Sequence, residues 1–300
     1  MKIQFLNGGL ANQTFQYIFT RYYELSHPGE QMFLDDSYFA LNTVHNGYEL
    51  EKVFPNTRPR MLSHFFDADI WEYMLDEKRK GKSIPQIMKD NGIPITMLSD
   101  VGDSYKNFNP FDGDVKHVRA HVFQPQICDV PYENVYYHGY WINRDYLYSY
   151  KDIILPELAF PKMTEPHNIE YMDAIHNTNS VSIHIRRGDF VDIGWSISTD
   201  RIRDYILYFL DSAPKSLNFH AFVFSDDIPW CKKNFIPLGF NKFYNCTFVE
   251  GNTDGLNYRD MQLMSNCKAM IQSNSSFGYL AALLNQNKQF IVNPFSERPV

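Results

Sequence analysis

Residues 180–191, SVSIHIRRGDFV, place two adjacent arginines, a glycine and an aspartate at the end of an apolar run. Arg186 and Arg187 are planar two-pronged donors: one can grip a phosphate while the other pairs with a carboxylate such as Asp189 and holds the turn. Gly188 lets the backbone turn closely, and the group as a whole suits a dianionic or trianionic ligand. The alternative is an ion-paired strand end. His184 can touch the same ligand or sit in the core bonded to backbone, and no second residue stands near it at metal-ligand spacing. Alternation along residues 181–186 predicts a strand with Ser182, His184 and Arg186 on one face, ended by Gly188.

Regular alternation follows. Helical patterns near residues 199–211, 229–235, 257–266 and 276–284 separate strand patterns at 220–224, 246–249, 269–272 and 289–292. Strands spaced by helices imply an α/β fold with a parallel sheet covered on both faces, and such sheets bind ligands at the carboxyl ends of their strands. Four chemically active groups fall on that rim: Arg186 to Asp189; Ser225, Asp226 and Asp227; the segment 248–252 with Glu250; and Ser273 to Ser276. Ser275 and Ser276 open a helix, where they offer hydroxyls and amides to a phosphate or simply cap the helix.

The first half begins with a strand at residues 2–6 and a loop at 7–11 containing Gly8 and Gly9, followed by a helix over 12–25 with Asn12 as its N-cap. Strand, glycine loop and helix start present amides to an anion, although the adjacent glycines are not the dinucleotide pattern. A second strand is expected at 31–35, and residues 36–100 read as helical and irregular. The sequence Gly81-Lys82-Ser83 fails as a phosphate loop because Asp76 stands where the first glycine belongs. Asp67-Ala68-Asp69 and Asp112-Gly113-Asp114 are short carboxylate pairs of a kind that can share a divalent ion. Around His138, Tyr140 and Trp141 aromatics crowd together, either to line a sugar cleft or to pack. A proline-punctuated segment at 156–166 marks the linker, giving domains over 1–160 and 161–300.

With 300 residues the chain can bury two cores, and its 44% hydrophobic and 21% charged residues are those of an ordinary globular protein. A formal charge of -7 argues against nucleic acid as a partner. The four cysteines form no C-x-x-C pair and read as reduced core residues. No secretory signal or membrane-spanning run is expected, so the expected location is cytoplasmic.

Gly8-Gly9-Leu10-Ala11-Asn12-Gln13 with Phe15-Gln16-Tyr17, His184-Ile185-Arg186-Arg187-Gly188-Asp189-Phe190, Phe224-Ser225-Asp226-Asp227, and Asp260-Met261 through Ser273-Asn274-Ser275-Ser276-Phe277 together resemble the ordered motifs of the alpha-1,2-fucosyltransferases, glycosyltransferase family eleven. The resemblance spans nearly the whole chain. Departures are Ala11 for the usual glycine, Thr14 for methionine, and Gly278-Tyr279-Leu280 in place of a tryptophan-rich segment. The resemblance implies a GT-B fold, with two Rossmann-like domains facing across a cleft: an N-terminal acceptor-side domain and a C-terminal domain that holds GDP-L-fucose. It also implies inverting transfer to the 2-hydroxyl of a terminal beta-galactoside, with no cofactor and no essential metal, and it allows peripheral contact with a lipid-linked acceptor.

By the same resemblance Arg186 binds the beta-phosphate and stabilises the charge on departing GDP. Gly8, Gly9, His184, Arg187, Ser275, Ser276 and Phe277 belong to the donor site. Asp226, Asp227 or Glu250 accepts from guanine. Asp189 or Asp192 serves as base, with Asn12 in the facing loop, unless Asp189 only anchors the arginines. Two rival readings are a metal-dependent transferase using an Asp-x-Asp pair, and a non-catalytic protein that binds nucleotide sugar or glycan.

Overall fold

A computed structural model describes residues 1–43, 46–100, 121–214, 216–253 and 255–292. The chain divides into two compact units, Met1–Ala159 and Phe160–Val300. Each is built on its own parallel sheet, which makes the fold α/β throughout.

In the first unit β1 (Lys2–Phe5), β2 (Met32–Asp35), β3 (Thr96–Ser99) and β4 (Val135–His138) lie in the order β2-β1-β4-β3. β3 falls in the stretch expected to be helical and irregular. Four residues, TMLS, are too few for alternation to show; pairing with β4 along their whole length makes them a strand. Ile95 and Met97 add to the apolar cluster around Ile3, Ile87 and Tyr136.

The helix after β1 runs Leu10–Ser26, and Gly9, not Asn12, is its cap. Its first bond is from the Gln13 amide to the Gly9 carbonyl, so Asn12 lies within the first turn. Gly8 has φ +78 and passes so close to Asn12 that a Cβ there would stand 2.7 Å from Asn12 Nδ2. The helix buries Gln13 and Gln16 without orphaning them. Gln13 donates to the carbonyls of Gly8 and Gly47, both at 2.9 Å. Gln16 donates to Asn7 Oδ1 at 2.6 Å and accepts from the Asn7 amide at 3.1 Å. These two glutamines lock the glycine loop onto its helix.

The second unit holds β5 (Asn179–Ile185), β6 (Phe219–Ser225), β7 (Asn245–Phe248), β8 (Ala269–Ile271) and β9 (Phe290–Val292), all parallel, in the order β7-β6-β5-β8-β9. Both faces of β5 are buried. Val181, Ile183 and Ile185 pack with Ile202, Ile206 and Phe209 of helix Thr199–Ser212, while Ser180, Ser182 and His184 are buried on the other side. β5 stops at Ile185, so Arg186 lies beyond the strand, and Gly188 opens a short helix, Gly188–Asp192. From β5 the chain adds β6 and β7 on one side, then crosses to place β8 and β9 on the other. The reversal leaves a crevice at the carboxyl ends of β5 and β8, the position where open α/β sheets bind ligands.

Candidate active site

At the tip of β5 each arginine is fixed by an aspartate from the tip of β6. The Arg186 guanidinium contacts Asp189 Oδ1 at 2.7 Å and Asp226 Oδ2 at 3.0 Å. Arg187 Nε bonds Asp227 Oδ2 at 3.1 Å, and its guanidinium lies 3.7 Å from the centre of the Trp230 ring. The Arg187 amide donates to Asp226 Oδ1 at 2.8 Å. Gly188 is required by this packing, because a Cβ there would stand 2.6 Å from Asp226 Oδ2. Asp227 also caps helix Ile228–Lys233 through the Trp230 amide at 3.1 Å, which fixes the ring beneath Arg187. Both arginines therefore pair with carboxylates. Arg186 keeps a third of its side chain exposed, with donors to spare for an anion.

His184 is the buried end of the same strand. Its Nδ1 shares a 2.9 Å hydrogen bond with Ser273 Oγ, and its ring lies 5.8 Å from that of Phe277. Burial, with a smaller contribution from the Arg186 charge, pushes its pKa down to about 3, so the imidazole is neutral. Gly278 makes room for it: a Cβ at that position would stand 2.7 Å from His184 Nδ1. The loop from Ser273 leads into helix Ser276–Leu284, and Ser275 Oγ caps the Phe277 amide at 3.3 Å. Gln272 Nε2 and Asn274 Oδ1 are buried here without a partner. Such orphans are uncommon in native structures, and both atoms can accept or donate a further hydrogen bond. A pocket opens beside Arg186 at the end of β5, lined by His184, Ile185, Ile197, Ile202, Gln272 and Ser273.

Farther along the rim, Glu250 pairs with Lys232 at 2.6 Å. Asn252 donates to Asp260 Oδ1 at 2.7 Å and exchanges hydrogen bonds with Asn168. Burial raises the Asp260 pKa to about 7 against the lowering effect of Asn252. Asp192 ends helix Gly188–Asp192, close in sequence to the arginine group. The second unit thus gathers Arg186, Arg187, Asp189, Asp226 and Asp227 by direct contact, with His184 on β5 itself and Ser275 and Phe277 at the cap and first turn of helix Ser276–Leu284. Gly8, Gly9 and Asn12 form a separate group in the first unit.

Residue spacing placed Ser273 on the rim but did not pair it with His184, and it gave no role to Trp230 or Gly278; these become meaningful only when β6 and β8 flank β5. The aromatic crowd of the first unit resolves toward packing at Trp141, which stacks on Phe19 at 4.5 Å and donates Nε1–H to Gln4 Oε1 at 2.6 Å. Asp67 and Asp69 lie at the start of helix Ala68–Arg79, where acidic groups suit the helix dipole. Among the described residues no group of three histidines, cysteines or acids is placed to hold a metal ion, and no helix is long and apolar enough to cross a membrane. Asp112 and Asp114 lie outside the described residues.

Two arginines held by aspartates at the switch point of a parallel sheet define an α/β protein with a charged, partly open crevice. The chain belongs to glycosyl transferase family 11, whose model matches residues 109–298, and it is a glycosyltransferase. It is 29% identical to the alpha-1,2-colitosyltransferase of Escherichia coli across 93% of this chain and 86% of that protein. It is 25% identical to the O-antigen biosynthesis glycosyltransferase WbnK of Escherichia coli, across 96% and 91%. Among solved structures, NodZ alpha-1,6-fucosyltransferase soaked with GDP-fucose aligns with 12% identity and a TM-score of 0.48, covering 94% of this chain and 92% of that one.

Proposed function

We propose that this glycosyltransferase moves L-fucose from GDP-L-fucose to the 2-hydroxyl of a terminal beta-galactoside, with inversion and without an essential metal. The observation that carries the reading is the partly open guanidinium of Arg186 at the switch point, beside the buried and incompletely bonded loop of Gln272 and Asn274. As the glycosidic bond breaks, charge grows on the beta-phosphate, and a fixed cation aimed there acts preferentially in the transition state. Asp226 and Asp189 hold that cation in place, while Arg187, Ser275, Ser276 and Phe277 complete the donor site. Neutral His184 offers the nucleotide a hydrogen-bonding ring nitrogen and no competing charge. The apolar pocket of Ile185, Ile197 and Ile202 beside Arg186 suits the methyl group of a 6-deoxyhexose.

Of the carboxylates considered for guanine, Asp226 and Asp227 are engaged by arginine. Glu250 is tied to an exposed lysine, and Asp260 joins it as a second candidate, its Oδ1 held by Asn252 at the same rim. Asp192 is the better candidate for the base, because Asp189 is paired with Arg186. Gly8 and Gly9 keep the donor-binding role, and Asn12 the catalytic role, that the resemblance implies for them. A cytoplasmic location fits use of a nucleotide sugar.

The colitosyltransferase relative supports a second reading in which the donor sugar lacks the 3-hydroxyl as well. Incubation with lactose and either GDP-fucose or GDP-colitose, with and without EDTA, separates these, with the product linkage read by NMR. The expected result is a 2-linked fucosyl product that survives EDTA. Preference for GDP-colitose would change the donor; loss of activity in EDTA would move attention to the Asp-x-Asp pairs; GDP-fucose binding without transfer to any glycan would leave a binding protein.

A further inference from the structure

The loop that follows the arginine group carries Trp195 with 63% of its surface exposed. A tryptophan so placed forgoes the burial that its large apolar ring would favour. Its backbone nevertheless is not loose. The Trp195 amide donates to the Phe190 carbonyl at 2.8 Å, and Asn274 Nδ2 donates to the Trp195 carbonyl at 2.6 Å, tying it to the Ser273–Ser276 loop. Gly194, with φ +73, makes the turn that delivers it. The ring meets Phe190 edge to face at 5.7 Å, and Phe190 in turn lies 5.5 Å from the Arg186 guanidinium. One phenylalanine ring therefore separates the exposed indole from the cation of the donor site. Other exposed aromatics of this unit have no such link: Tyr244 precedes β7 and so sits at the opposite rim of the sheet, and Tyr208 lies on helix Thr199–Ser212.

We propose that Trp195 is the platform on which the acceptor's terminal sugar rests, its indole face against the apolar C–H face of the pyranose. This rests on the transfer reading given above. Asp189 and Asp192, on the helix just before the loop, supply acceptors for sugar hydroxyls, so that a flat apolar face and carboxylates adjoin as saccharide recognition requires. The same two acids disfavour an anionic membrane surface as the occupant, although Val191 and Ile193 are also exposed. The flat site would orient the acceptor hydroxyl one sugar ring away from the phosphate held by Arg186.

Two measurements on the full chain test this. The first compares wild type with Trp195→Ala and Trp195→Tyr while acceptor and donor are varied separately. Trp195→Ala should raise the KM for lactose about tenfold, with kcat and the KM for GDP-fucose within about twofold, and Trp195→Tyr should recover most of the loss. The second titrates lactose in the presence of GDP and follows tryptophan emission. Wild type should show a saturable blue shift that Trp195→Tyr lacks, whether or not transfer occurs. If wild type transfers fucose but shows no shift and Trp195→Ala leaves the lactose KM unchanged, the platform is refuted while the transfer reading stands. A shift without fucosyl transfer would do the reverse. A rise confined to the donor KM, or loss only of binding to phosphatidylethanolamine–phosphatidylglycerol vesicles, would also overturn it.

Discussion

Asp100 with Trp141 in the first unit and Arg186 with Trp195 in the second use the same ingredients, a charged group beside a tryptophan, to opposite ends. Asp100 is buried and accepts from the amides of Tyr140 at 2.9 Å and Trp141 at 2.8 Å, with Gly139 leaving the space its carboxylate fills. Trp141 is 3% exposed, and its φ of +51 is uncommon for so bulky a residue. The two amide bonds and the stack on Phe19 hold it there. That cluster is closed. Around Arg186 the carboxylates fix the cation yet leave part of it in solvent, and the nearby tryptophan faces water. Residue type does not separate structure from function here; the difference lies in whether each polar and apolar surface already has its partner.

The largest effect expected from that contrast is at the open end. Arg186→Ala should lower kcat for fucosyl transfer about a hundredfold to a thousandfold, as loss of a donor to developing charge does. The fold should persist, because partly exposed ion pairs contribute only about 0–1 kcal/mol. Circular dichroism and thermal melting alongside the rate would check both halves, and a variant retaining most of the wild-type rate would remove Arg186 from its role.

At the closed end the effect should appear in stability. Asp100→Ala leaves two buried amides without an acceptor, a cost of about 2–4 kcal/mol, visible as a lower denaturant midpoint. Burial lifts the Asp100 pKa to about 6 despite the two amide bonds, so the folded chain binds that proton more tightly than the unfolded one. The stability linked to this proton is complete below the ordinary carboxylate range and is lost as the pH rises through about 6. Asp100→Asn should flatten that segment of the profile. Identical slopes for wild type and Asp100→Asn between pH 4 and 6 would contradict the assignment.

The same contrast explains what was legible in the sequence. Strand and helix alternation after residue 180 carried the second sheet, because β5 and β6 run seven residues each and the shorter strands after them fall between recognisable helices. β3 was invisible at four residues, and so was helix Gly188–Asp192, whose residues are partly or fully exposed and show no apolar stripe. Arg186, Arg187, Asp226 and Asp227 were recognisable as a group, since all follow strands of one parallel sheet and must share a rim. How they pair was not, because β6 supplies both partners and only register brings Ser225 beside Ile185. Asn12 illustrates the limit of local rules: it is a good capping residue, but Gly9 holds the cap because the Gln13 amide reaches its carbonyl.

An intermediate effect is expected where the open site leans on closed packing. Gly278→Ala would drive a methyl group into His184, displacing the imidazole from Ser273 or pushing the helix outward. Overpacking of this kind costs about 1–3 kcal/mol. The KM for GDP-fucose should rise together with the loss of stability. If the donor KM stays unchanged while stability falls, His184 is a core residue and does not belong to the nucleotide site.

The smallest effect should come from Trp230, whose side chain meets the site at Arg187. Its ring beneath the guanidinium adds a cation–π attraction of about 0.5–2 kcal/mol. Its amide, which bonds Asp227, survives any side-chain change. Trp230→Leu should therefore keep helix Ile228–Lys233 capped and lower kcat/KM for GDP-fucose only severalfold. The decisive comparison is a double-mutant cycle with Arg187→Ala. If the indole works by holding that arginine in the open site, Trp230→Leu has nothing further to remove once Arg187 is gone, and the two losses will not add. Additive losses would mean that Trp230 supports the sheet tip independently, as Trp141 supports the closed unit.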